Sequence, residues 1–142
     1  MITMEIEGLE QVKAEIRRIG KKAEDGVSRA VKATGLEVIS DVKKRIQRGP
    51  KSGTTYTRGN ITHTASAPGQ APATDTGVLA SSPYFEQPSP LSVTVGSRLA
   101  YAAYLEFGTT RIKPRPSWTP AVEAASPKLQ KRIEDAIRKA AQ

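Results

Sequence analysis

His63 is the only histidine of the 142-residue chain, so any imidazole acid–base chemistry would have to run through it. A catalytic base needs an orienting partner and a place for substrate. His63 stands among threonines, and the nearest acid along the chain, Asp75, is twelve residues away. The spacing therefore points to a hydrogen-bonding or interface role. Glu106 is the more unusual carboxylate, because it sits between Leu105 and Phe107 in a segment otherwise suited to burial. Either its helix face points to solvent, or it pairs with Arg98, Arg111 or Arg115, since a buried carboxylate must be compensated. Asp75, Glu106 and Glu123 have the ligand type for Mg²⁺, but their spacing offers no support for a shared site. Cysteine is absent, which removes disulfides, thiolate catalysis and zinc–thiolate sites. Neither GxGxxG nor GxxxxGK[ST] occurs, and no serine lies in a GxSxG elbow. No cofactor is implied. A hydrolase relying on Asp75 and Glu106 is the weakest of the function classes considered.

Charge offers a second kind of chemistry. Lys and Arg number 22 against 14 Asp and Glu, a formal net charge of +8. Lys43, Lys44, Arg45, Arg48, Lys51 and Arg58 fall in a stretch, 43–74, that contains no acid, and Arg111, Lys113 and Arg115 form a second basic run. Lys43 to Lys51 are candidates for contact with DNA or an acidic protein surface, with Tyr56 available to stack. No zinc-finger, RRM or KH fingerprint accompanies them, and cations near a helix end also favour the helix dipole.

The elements that would position these groups follow from periodicity. From Leu9 to Ile46 apolar residues recur three or four apart, predicting a long helix over about residues 9–47 that stops at Gly49-Pro50. Unbroken, it would run roughly 60 Å. Gly20, Gly26 and Gly35 each weaken it by about 1 kcal/mol and invite a bend. Residues 51–74 have almost no aliphatic content. Thr54–Thr57 and Ile61–Thr64 are β-prone about a turn at Gly59-Asn60, and an Ala-Pro-Gly arm follows that is expected to be mobile or ordered only on a neighbour. Asp75 is a candidate N-cap for a short turn over Gly77–Ser81. Tyr84–Gln87 and Leu91–Gly96 read as an antiparallel pair linked through Pro88-Ser89-Pro90, and Ala100–Phe107 as a short helix stopped by Gly108. The last helical pattern covers about 117–140, capped by Ser117 or Thr119, with a kink or break at Pro127. The expected fold is one α+β domain over 1–142, with strands and short helices over about 75–109: a small antiparallel sheet packed against a long N-terminal helix and a C-terminal helix, with an extended polar hairpin and arm. No run approaches 18 apolar residues, and the acidic N-terminus carries no readable signal peptide.

The strings HTASAPGQAPATDTGVLASS and VGSRLAYAAYLEFGTTRIKPRPSWTPAVE resemble the small tail-completion, or head–tail joining, proteins of long-tailed bacteriophages. The shared blocks are Pro68, Gly69, Pro72, Asp75, Thr76, Gly77, Leu79 and Ser82, then Val95-Gly96. Tyr101, Ala102 and Glu106 to Thr109 follow, then Arg115, Pro116, Pro120 and Ala121. The resemblance implies a non-enzymatic virion protein made in the host cytoplasm. It would assemble as a ring at the head–tail junction against a tail terminator, connector or stopper, with no membrane contact and only transient contact with genomic DNA. It also implies that Tyr101, Tyr104 and Phe107 anchor their segment, that Gly77 permits close packing and that Arg115 bridges Glu106; Trp118 departs from the family pattern, which has a smaller residue there, and reads as a core substitution. The arm carrying Tyr56, Arg58, His63, Pro68 and Gly69 would lie on an adjacent subunit, with Arg111 and the basic run facing a neighbour or DNA. A DNA-binding or packaging-associated accessory protein is the alternative that the positive charge supports.

Overall fold

The computed structural model of the chain describes residues 2–7, 10–74 and 76–142. In chain order the elements are strand β1 (Ile2–Glu7) and helices α1 (Glu10–Ile19) and α2 (Lys21–Arg48). Strands β2 (Thr55–Arg58) and β3 (Ile61–Thr64) follow, then α3 (Val78–Ser81), β4 (Pro83–Ser89) and β5 (Ser92–Ser97). Helices α4 (Ala100–Phe107) and α5 (Trp118–Ala140) complete the chain. The α+β architecture expected from the sequence is present: a small antiparallel sheet against a long N-terminal helix and a C-terminal helix.

The predicted N-terminal helix is two helices. Gly20 adopts φ +96, a conformation that other residues rarely take, and α1 ends there while α2 begins. Leu9, the first residue of the helical pattern, lies outside the described residues, as do the side chains of Val12, Ile16 and Ile19. α2 is the central element. Ala23, Val27, Ala30, Val31, Thr34, Gly35, Val38, Val42 and Ile46 are all buried along it, because it touches the sheet on one side and α5 on another. Small residues allow both approaches. A Cβ at Gly35 would lie 2.9 Å from Phe85 and 3.0 Å from Val93, and one at Gly26 would lie 3.1 Å from the Ala136 Cβ.

β5 is the middle strand of the order β1-β5-β4 and is antiparallel to both neighbours. Val93 and Val95 are fully buried on it. β1 is an element the sequence pattern does not announce; Ile2 is buried and pairs opposite Ser97, and Met4 opposite Val95. β4 runs through Pro88, which the sequence reading assigns to the turn. The register breaks between Glu86 and Ser89, which places the proline, lacking an amide to donate, in the irregular stretch of an edge strand. The β2–β3 hairpin turns through Gly59 (φ +61) and Asn60, a glycine-first two-residue connection. α5 continues through Pro127 as one helix, so the break into two helices does not occur.

Two further expectations are corrected. The arm after β3 is docked on its own chain: Ser66 and Pro72 are buried, the Gly69 amide donates to the Pro114 carbonyl at 2.9 Å, and Gln70 Oε1 accepts from the amides of Ser52 and Ala67. Gly77 is not a packing position, since a Cβ there would meet nothing within 4 Å; its φ of +81 is what favours glycine. Asp75, the candidate cap, lies outside the described residues, and the Gly77 amide donates to Thr74 Oγ1 at 3.0 Å.

Gly96 offers a direct check on the sheet. A Cβ there would fall against the Ile2 carbonyl oxygen and 2.9 Å from Thr3 Cα, both main-chain atoms that cannot rotate away. Gly96→Ala should therefore destabilise the fold by about 1–3 kcal/mol in urea titration. The loss should be accompanied by faster amide exchange along Ile2–Glu7, and unchanged protection of that strand would contradict the packing described.

Candidate functional site

The site is built outward from Glu106, which is 4% exposed. Its Oε2 accepts the amides of Ser117 (2.8 Å) and Trp118 (3.0 Å), and its Oε1 accepts that of Thr119 at 2.6 Å. These are the opening amides of α5, which a helix leaves without internal partners and which carry the positive end of its dipole. The expected pairing of Glu106 with Arg98, Arg111 or Arg115, like its alternative of a solvent-facing carboxylate, is thus replaced by a main-chain cap. Ser117 and Thr119 do not cap with their own side chains. Arg98 instead reaches Glu86 at 2.8 Å and lies 4.4 Å from the Tyr84 ring centroid. Arg115 does not bridge Glu106. Its main-chain amide donates to the Leu105 carbonyl at 2.6 Å, and its buried Nε has no hydrogen-bond partner among the described residues.

The cap sets which way α4 faces. Ala102 and Glu106, one turn apart, are its buried residues, so Tyr104 lies on the opposite side with Tyr101 and Phe107 at its two flanks. These aromatics are 45%, 56% and 66% exposed. The expectation that they anchor the segment in the core is therefore reversed, whereas Trp118, 2% exposed, is a core residue as expected. The 108–117 loop borders this face. Gly108 leaves the helix at φ +76, Thr109 Oγ1 accepts the amides of Arg111 and Ile112, and Arg111, Ile112 and Lys113 are exposed.

The hairpin has two unlike faces. Thr55 and Thr57 meet Thr64 and Thr62 across one of them, with hydroxyl oxygens 3.0 and 3.4 Å apart. On the other, the Tyr56 and His63 rings lie 5.2 Å apart, beside Arg58 and an Ile61 that is 69% exposed. Tyr56 and His63 share a cleft of about 310 Å³ with Tyr101, Leu105 and Arg115. Pro68 and Gly69 lie on the docked arm, away from that ring pair in sequence, and Gly69 takes φ +84.

In the basic run at the end of α2, Arg45 pairs with Asp41 at 3.1 Å, and Lys51, just past the helix, donates to the Gln47 carbonyl; Lys44 and Arg48, four residues apart, share one face of the helix, and Lys43 lies off it. Sequence reasoning missed a network between α2 and α5. Lys128 and Arg132 both pair with Glu37, and Arg132 also donates to the buried Thr34 hydroxyl at 2.9 Å. The i,i+3 spacing of Thr34 and Glu37 and the i,i+4 spacing of Lys128 and Arg132 were the available signal. Among the described residues no cluster of three or more potential metal ligands occurs, and no helix is long and apolar enough to cross a membrane.

The structure is that of a small α+β protein with an exposed aromatic helix face and an exposed two-stranded hairpin. The profile of the family described as "Bacteriophage HK97-gp10, putative tail-component" matches residues 10–108. The chain belongs to that family, and its role is structural, in phage tail assembly. The matched region runs from α1 to the Gly108 stop, so the Arg115–Ala121 block and α5 lie beyond it. No curated protein and no solved structure gives a significant match.

Substitutions at two carboxylates, Glu106 and Glu37, test the scaffold. Glu106→Ala should cost about 2–4 kcal/mol in urea unfolding, because it leaves buried amides without acceptors. Glu106→Gln, which keeps an acceptor, should cost less. The Lys128 and Arg132 hydrogen bonds, reinforced by their charges, hold the Glu37 carboxyl below the ordinary carboxylate range. A depressed folded-state pKa makes this stabilisation present at neutral pH and lost as pH falls through it. The stability gap between wild type and Glu37→Gln should be flat above the ordinary glutamate range, about pH 4.3, and close as the pH falls below it; a gap that widens on acidification would reverse the assignment.

Proposed function

We propose that this protein is a tail-completion subunit of the neck, made in the host cytoplasm. It assembles as a ring in the virion, ends the head-proximal face of the tail, and joins it to the connector beneath the capsid without an enzymatic step. The observation that carries this reading is the α4 face. Tyr101, Tyr104 and Phe107 are exposed side by side on a helix that the Glu106 cap holds in place. Exposed aromatics with arginine close by have the composition of an interface hot spot.

Charge supplies the partner's chemistry. Between Leu99 and Pro120 the only carboxylate is Glu106, and it is turned inward, while Arg111 and Lys113 are exposed at the edge of the face. The complementary surface is an apolar patch edged with carboxylates, on the tail terminator, connector or stopper that this protein adjoins. The hairpin side with exposed Tyr56, Arg58 and Ile61 and a half-buried His63 gives each copy a second surface, suited to the neighbouring copy in the ring. Contacts of this kind are individually weak and gain strength from repetition around a closed ring.

Deleting the gene from a phage genome should yield filled heads and finished tails that accumulate separately in electron micrographs. Tyr104→Ser/Phe107→Ser changes exposed side chains, so the purified variant should melt within a few degrees of wild type. Supplied in trans, it should fail to restore joined particles. Normal infectious particles from the deletion would end the proposal, and full rescue by the double variant would remove α4 as its docking face.

A further inference from the structure

At the opposite end of α5 from the Glu106 cap, the first half of α2 lies against the last turns of α5 and leaves a cleft of about 620 Å³. Its cations are Lys22 and Arg29 from α2 and Arg132, Arg138 and Lys139 from α5, against one carboxylate, Asp135. Its floor is made of Gly26, Ala30 and Ala136, residues small enough for the two helices to approach closely. Asp135 lies 3.8 Å from Arg138, and Arg132 is engaged by Glu37 and Thr34. Lys22, Arg29 and Lys139 are exposed and have no ion pair among the described residues. Lys21 and Lys22 share the first turn of α2 with Glu24, the acid that suits the positive end of the helix dipole.

We infer that this cleft binds the sugar-phosphate backbone of duplex DNA without regard to sequence. The chemistry of the lining separates this ligand from its rivals. Protein-binding hot spots are rich in aromatic and large apolar anchors, and the cleft has none; this chain carries such groups on α4 instead. Single strands are held by stacking on aromatic rings, and there are none here. Flexible cations on either side of a small-residue floor suit phosphate oxygens, which need charge and reach more than shape. Lys22 and Arg29 are seven residues apart on α2, a rise of about 10 Å, close to three base-pair steps of duplex. The convergence is invisible in the sequence, because it requires the two helices to dock antiparallel. This inference goes beyond the joining role and stands on separate residues.

The test uses purified full-length protein and fluorescence anisotropy with two 24-base-pair duplexes of unrelated sequence, titrated between 50 and 200 mM salt. The expected result is equal affinity for both, falling steeply with salt. Lys22→Ala/Arg29→Ala/Lys139→Ala should weaken binding at least tenfold at 50 mM and flatten the logarithmic salt slope by roughly 2–3, near 0.9 for each phosphate no longer neutralised. Lys43→Ala/Lys44→Ala/Arg48→Ala, which removes the same charge toward the other end of α2, should stay within twofold of wild type. Several results would overturn the inference: no duplex binding by the wild-type protein, equal losses from the two triple variants, tighter binding of a 24-nucleotide single strand, or more effective competition by poly-glutamate, which would identify an acidic protein partner. Particle joining does not enter this experiment, so its failure leaves the neck proposal standing, and the reverse also holds.

Discussion

A carboxylate buried against the open end of a helix fixes the relation between the last two helices of this protein. Glu106 satisfies three amides at the start of α5 from a position on α4, with a ten-residue loop between the helices. An arginine partner would have required a second buried charge with its own desolvation cost. Main-chain amides provide a positive field that is already oriented by the helix, and their positions follow the backbone rather than a flexible side chain. The Arg115 amide to Leu105 carbonyl bond closes the same loop a second time. Once Glu106 is drawn inward, helical geometry turns Tyr101 and Tyr104 outward. The aromatic face is thus a consequence of the cap, and the two cannot be varied independently.

The remainder of the core depends on how closely α2 can be approached. A helix flanked by a sheet and by another helix must be apolar or small around much of its circumference. α2 meets this with valines at 27, 31, 38 and 42, and with Gly26 and Gly35 at the closest approaches. Thr34 is the polar exception and is satisfied twice, donating to the Ala30 carbonyl and accepting from Arg132. Arg132 in turn joins Lys128 on Glu37, so the α2–α5 seam has a fully bonded polar section between its apolar clusters. A seam made this way specifies register as well as proximity, since sliding either helix by one turn would strand Thr34 and Glu37 together.

Local chemistry makes much of this readable in the residues. The α4 boundaries, the β2–β3 and β4–β5 hairpins and the Gly49-Pro50 stop all rest on short-range signals: turn glycines, alternation and helix breakers. What escapes depends on partners distant in the chain or on groups that residue type does not reveal. β1 alternates Ile2, Met4 and Ile6 with Thr3, Glu5 and Glu7, but it needs β5, some ninety residues away, before that period means a strand. The arm reads as unattached because its composition is poor in apolar groups, yet Gln70 and the Gly69 amide tie it down through hydrogen bonds that composition does not record. The α4 aromatics read as inward because large rings default to cores. Here alanine and a carboxylate hold the inward positions, and only knowledge of the waiting α5 amides could have predicted it.

α5 therefore carries different physics at its two ends. Its first turn is bound to α4 and, through the cap, to an aromatic surface; its last turns contribute Arg138 and Lys139 to a cleft with an excess of cations. From Trp118 to Lys139 the helix rises about 32 Å, well beyond the roughly 8–10 Å over which exposed charges act in physiological salt. A protein partner on α4 and a phosphate backbone in the cleft would consequently not compete for space or charge on one subunit. The rigid connection between the two surfaces is the α2–α5 seam itself. In a ring of such subunits, that seam would hold the cations at a constant distance from the protein-binding face, so that docking the subunit would also determine where its basic cleft lies.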